Sequence, residues 1–154
     1  MKPLSKDDSS RDFSALLCID SQEVLDLASG QLTLIGFEVH TVSTPEQALA
    51  ELYSHSYAVM VVDDHFGGSD IETHPLLSQM ASVPLDLRRK TFVILIGPNL
   101  TPHSKMQAFA LSVDLVLRPQ DILNLKAIVG QGLLDHEAFY AAFNAADKSL
   151  RLEG

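Results

Sequence analysis

At 154 residues, the chain has the length of one domain able to bury a single good core. Its hydrophobic share of 46% and charged share of 20% are those of an ordinary globular protein. A net charge of −9 argues against broad nucleic-acid affinity, because phosphate backbones are held by Lys and Arg.

Residues 1–12 are polar and unpatterned, and they read as a disordered lead. A first strand follows over about 13–19 and ends Leu16-Leu17-Cys18-Ile19-Asp20. Val24, Leu27, Ala28, Gln31, Leu32 and Ile35 then recur at helical spacing, with Gly36 placed to end that helix. Phe37 to Val42 predicts a short second strand. Thr44-Pro45-Glu46-Gln47 predicts a helix start, with a Thr N-cap, Pro at the first helical position and Gln completing a capping box. Tyr57 to Val62 predicts the third strand, closed by Asp63. A loop with Gly67 and Gly68 leads to a short helix through Leu76, Leu77 and Met80, which Val83-Pro84-Leu85-Asp86 interrupts. Phe92 to Ile96 reads as the fourth strand, and Thr101-Pro102 repeats the cap-then-proline signal for a helix carrying Met106, Phe109 and Ala110. Val113 to Leu117 gives a fifth strand, and a last helix starting near Gln120-Asp121 extends towards Lys148.

Short continuous apolar runs separated by helical patterns are those of strands buried on both faces of a parallel sheet. Strand and helix alternate five times, so right-handed crossovers give a doubly wound α/β fold. The expected version is flavodoxin-like, five-stranded, in the order 2-1-3-4-5, with an extended C-terminal helix. In such a sheet the carboxyl ends of the strands form the ligand-binding edge. Asp20, Asp63 and Arg118 meet there, two acids and one base.

With these residues in place, the chain resembles the receiver domain of two-component response regulators over about residues 13–132. The resemblance implies an acidic pair after strand one, a phosphoacceptor Asp ending strand three, a Ser or Thr ending strand four, and Lys-Pro after strand five. Here Asp20 supplies the first acid and Ser21 stands where the second belongs. Asp63 takes the acceptor position, Ile96 falls where the hydroxyl belongs, and Arg118-Pro119 replaces Lys-Pro. Leu115 falls at the aromatic position of strand five.

These departures point to a degenerate receiver. Ser21 removes a charged ligand from an Mg²⁺ site that wants hard oxygens, leaving Asp20 and Asp63 as a weak one at best. Ile96 donates no hydrogen bond, and the planar fork of Arg118 differs from a compact ammonium. Loss of one preorganised donor alone costs about 100-fold or more in rate. Asp64 would point to the opposite face if its strand continued. The expectation is a non-enzymatic, cytoplasmic signalling domain acting by protein contact, with Asp phosphorylation impaired or absent. The alternatives are a working receiver phosphorylated on Asp63 and a plain Asp63–Arg118 ion pair. Its partner would be a histidine kinase or a downstream signalling protein, with no cofactor beyond weak Mg²⁺, no nucleic acid and no membrane.

Other conspicuous residues receive plain readings. Asp63-Asp64-His65 lacks the second acid two residues on that an aspartate-nucleophile phosphatase wants. The six histidines show no paired zinc spacing and read as surface or loop residues. Cys18, alone and inside an apolar run, excludes an internal disulfide and reads as a small core residue. Arg88-Arg89-Lys90 reads as a solvated strand entry. No run approaches the ~18 apolar residues of a bilayer span, and the amino terminus does not read as a signal peptide. Beyond Gly132, residues 133–152 continue a helical stripe with Phe139, Tyr140 and Phe143, which offers either packing for the domain's own helices or a docking or homodimer surface. Glu153-Gly154 reads as an expression remnant.

Overall fold

A computed structural model of the chain describes residues 14–68, 70, 74–82 and 90–135. The polar lead, the Val83-Pro84-Leu85-Asp86 break, Arg88-Arg89 and the aromatic stripe of Phe139, Tyr140 and Phe143 lie outside the described residues.

The five strands are β1 (Ser14–Cys18), β2 (Glu38–Thr41), β3 (Val59–Asp63), β4 (Phe92–Ile96) and β5 (Leu115–Leu117). Every pairing is parallel and the order is β2-β1-β3-β4-β5, as the alternation predicts. The helices are α1 (Gln22–Leu34), α2 (Pro45–Ser54), α3 (Pro75–Ala81) and α4 (Lys105–Ala110). A 3-10 turn (Pro119–Asn124) then leads into α5, helical over residues 125–135.

The apolar runs are continuous because both faces of the sheet are covered. Period-two alternation deals their side chains into two cores. Leu16, Cys18, Met60, Val62, Val93, Leu95 and Val116 pack with residues of α2, α3 and α4. Ala15, Leu17, Val59, Val61, Ile94, Ile96 and Leu117 pack with Ala28 and Leu32 of α1 and with Leu125 and Val129 of α5.

Local chemistry sets the helix ends. The α1 helix closes in a Schellman motif: Phe37 N–H donates to the Leu32 carbonyl and Gly36 N–H to the Thr33 carbonyl, with Gly36 at φ 98°. At α2, Thr44 Oγ1 accepts from Gln47 N–H, while Gln47 Oε1 accepts from Ser43 N–H, one residue earlier than a standard capping box. Gln31 joins α1 to α5 through its amide, donating to the Ile122 carbonyl at 2.6 Å and accepting from Lys126 N–H at 2.8 Å.

Two expected boundaries move. Thr101-Pro102 does not start α4. His103 adopts φ 62°, which interrupts any helix there, and Ser104 caps α4 by accepting from Gln107 N–H. The last α-helix likewise starts at residue 125, because Asp121 caps Arg118 N–H at 2.9 Å and closes a 3-10 turn first.

Candidate functional site

The parallel topology brings the ends of β1, β3, β4 and β5 to one edge, and the functional residues follow from where each strand stops. Asp63 is the last residue of β3 and pairs in register with Ile96, the last of β4. Its carboxylate is half-buried. Asp20 N–H donates to Asp63 Oδ2 and His65 N–H to Oδ1, both at 3.4 Å. The Asp20 carboxylate accepts from Gly67 N–H at 3.1 Å. Gly67 is needed for this approach, since it sits at φ 72° and a Cβ there would meet Pro45 Cδ at 2.7 Å. Asp20 and Asp63 are therefore brought together as the strand ends suggest.

The remaining sequence candidates are placed differently. Ser21 Oγ caps α1 by accepting from Val24 N–H at 3.4 Å, so its hydroxyl serves the helix. Ile96 is 3% exposed and belongs to the core facing α1 and α5. The ion pair entertained between Asp63 and Arg118 does not occur among the described residues, where Arg118 Nε instead donates to the Leu100 carbonyl at 2.8 Å. Leu115 is half-buried in a groove of about 640 Å³ between α4, β5 and α5.

Two residues absent from the expected site matter more. The strand does not continue past Asp63, so Asp64 is not carried to the opposite face. The chain turns, Asp64 N–H donates to the Ile96 carbonyl at 2.8 Å, and its carboxylate comes back against Gly97. Asp64 is only 3% exposed, and Oδ1 lies 2.7 Å from His65 Nδ1. Burial pushes the Asp63 carboxyl above its ordinary range, and the Asp64 carboxylate adds to that rise. Asp64 also holds the His65 imidazole above its usual value.

The second residue is His74, which is buried and not at the surface. Its Nδ1 accepts from Leu77 N–H at the start of α3, which leaves the proton on Nε2 for the Asp63 carbonyl at 2.9 Å. It fixes the backbone behind the Asp63 carboxylate. Gly97, an isolated glycine directly after an apolar strand, is the sequence signal for close approach at Asp64. A histidine before proline carries no comparable signal.

A metal ion finds a short donor set here. Among the described residues no group of three or more His, Cys, Asp or Glu side chains is arranged to hold one. Asp20 and Asp63 are the carboxylates nearest to such a role, each already accepting backbone N–H bonds. Cys18 is buried and its thiol is pushed upward, as befits a core residue. No helix among the described residues is long and apolar enough to cross a membrane.

The fold is that of CheY-like receiver domains. The chain is similar to a response regulator receiver domain from Methanospirillum hungatei, with a TM-score of 0.61 and 18% identity over 82% of this chain and 97% of that one. It is also similar to the signal receiver domain of an HD domain-containing protein from Pseudomonas fluorescens, with a TM-score of 0.63 and 18% identity over 84% and 92% of the two chains. An orphan response regulator of H. pylori gives a TM-score of 0.61 and 17% identity over 79% and 96%. No protein-family model and no curated protein sequence matches the chain.

Proposed function

We propose that this domain is a receiver-like signalling module of two-component type that works by protein contact, with Asp63 impaired as a phosphoacceptor. The observation that carries the reading is the composition of the strand ends around Asp63. A phosphoryl group gathers negative charge on its oxygens, and a site that accepts it needs preorganised donors or cations aimed at them. Ile96 offers neither, and Arg118 is turned to the Leu100 carbonyl. The reading is of a non-enzymatic, cytoplasmic domain whose partners are a histidine kinase or a downstream signalling protein.

Exposed apolar side chains support the contact role. Met106 and Phe109 stand three residues apart on α4, 84% and 88% exposed, so they share one face of that helix. By sequence alone, Phe139, Tyr140 and Phe143 are a second candidate for docking or for pairing two copies of the chain. Incubation with acetyl phosphate and Mg²⁺, followed by intact-mass measurement, tests the phosphorylation half. The expected product is unmodified protein. A stoichiometric adduct that is lost in Asp63→Asn would instead establish a working receiver.

A further inference from the structure

Leu115, standing where the receiver resemblance implies an aromatic, and Gly132 together leave a space that the core does not fill. The groove between α4, β5 and α5 measures about 640 Å³, within the roughly 300–1,000 Å³ of small-molecule sites. Phe92 begins β4 and Leu115 begins β5, so the groove is built from the strand ends opposite to Asp63. Phe92, Leu115 and Ile128 give it an apolar floor. Gly132 keeps Phe92 in that floor, since a Cβ in its place would lie 2.6 Å from Phe92 Cζ and 2.8 Å from Cε2.

The charges around this floor are unequal. Asp114 and Asp135 line it, and both carboxylates are short and held in place. Asp114 Oδ2 accepts from Val93 N–H at 2.8 Å, and Asp135 Oδ1 accepts from Gln131 Nε2 at 2.9 Å. Neither bond neutralises its carboxylate, and each acid keeps further acceptor capacity. Lys105 and His103 line the α4 wall. Among the described residues no carboxylate pairs with Lys105, and its four-carbon stem lets the ammonium turn out to water. Two fixed acids therefore outweigh one mobile base, and the chain's net charge of −9 adds a field that draws cations.

We propose that this groove binds a small molecule with a flat apolar body and one amine, and that its occupancy replaces phosphorylation as the input of the domain. The apolar body covers Phe92, Leu115 and Ile128, and the ammonium faces Asp135 and Asp114. The role as input rests on the reading of an impaired receiver. Its route to the contact surface is short. The α4 wall of the groove belongs to the helix that presents Met106 and Phe109, so an occupant wedged against α4 acts on that exposed face.

The test titrates the full chain with 1-naphthylmethylamine, the neutral 1-naphthalenemethanol and the anionic 1-naphthoate, followed by ¹H–¹⁵N amide shifts. The amine is expected to give saturable shifts at Leu115, Ile128 and Gly132 and, on the same curve, at Met106 and Phe109. It should bind roughly tenfold more tightly than the alcohol, the gain of one charged hydrogen bond, with 1-naphthoate weaker still. Asp135→Asn should bring the amine towards the alcohol, and Leu115→Trp, which fills the groove, should abolish binding. If Leu115→Trp does not fold, the exposed Asp135→Asn change carries the test. No saturable shift at the groove amides overturns the inference, as does undiminished binding to folded Leu115→Trp. Amine and alcohol of equal affinity, or a tighter 1-naphthoate, overturn the ligand class. Groove amides that shift with protein concentration alone, with a dimer by light scattering, overturn it in favour of a second copy of the chain. Binding that leaves Met106 and Phe109 unmoved overturns the role as input. Stoichiometric labelling of Asp63 by acetyl phosphate is the separate result that removes the impaired-receiver reading, and that role with it, while the titration still decides the binding.

Discussion

Gly97→Ala is the substitution whose cost the structure fixes best. The added methyl carbon would lie 2.3 Å from Asp64 Oδ2 and 2.5 Å from its Cγ, distances that no real Cβ contact sustains. The backbone has little freedom to yield, since Gly97 N–H donates to the Leu117 carbonyl and anchors β4 to β5. Asp64 must then leave its pocket. Overpacking of this kind costs about 1–3 kcal/mol, and a buried polar group removed from its partners costs about 1–3 kcal/mol more. The sum is about 2–6 kcal/mol, and its middle value of about 4 kcal/mol corresponds to a fall of roughly 8–16 °C in Tm for a chain of this length. Urea titration and thermal melting of Gly97→Ala, Asp64→Ala and the double variant measure it. The double variant should recover most of the loss, because the clash and its cause are removed together, giving a coupling of at least about 1 kcal/mol. Gly130→Ala is the control: with nothing within 4 Å of its added Cβ and a helical backbone, it should stabilise by about 0.5–1 kcal/mol. A Gly97→Ala variant as stable as wild type, or a double variant with purely additive losses, would refute the placement of Asp64.

Three further outcomes follow from the same geometry. Asp63 has a folded-state pKa raised above its ordinary 3.8, so the stability tied to its neutral form is complete below that value and is lost as pH rises through the raised one. Asp63→Asn, neutral throughout, should therefore gain on wild type with rising pH, and urea midpoints at about pH 4 and about pH 7 should show the gap widen. His74→Ala strips α3 of its cap and leaves the Asp63 carbonyl without a donor, a loss of about 2–4 kcal/mol by denaturant titration. Leu95→Ala opens a cavity in the fully buried β4, and about 2–5 kcal/mol is expected in the same assay.

The strands were legible because burial on both faces leaves an unbroken apolar run, and β4 begins and ends where its run does. The α2 start was legible because Thr44, Pro45 and Gln47 each act locally, through bonds within one turn. Thr101-Pro102 carries the same local chemistry, yet Ser104 competes as a cap and wins, so the pattern alone did not decide between them. Asp63 and Asp20 were found from strand ends, which topology brings together. Asp64 was not, because the alternation of side chains holds only while a strand continues, and β3 stops one residue earlier. Its burial depends on Gly97, 33 residues further on, and on a turn whose direction no local signal states. His74 escaped for a related reason: its two hydrogen bonds join α3 to β3 across 11 residues of chain.

The central proposal is that the edge carrying Asp20, Asp63 and Arg118 keeps the receiver scaffold while Asp63 is impaired as a phosphoacceptor. The most direct measurement is a ¹H–¹⁵N amide spectrum of the wild-type chain recorded with Mg²⁺, with and without beryllofluoride. The account predicts that the amides of Asp63, Asp64, Gly97 and Leu100 stay where they are. A saturable shift of those amides, spreading through β4 to Leu117 and Arg118, would contradict it.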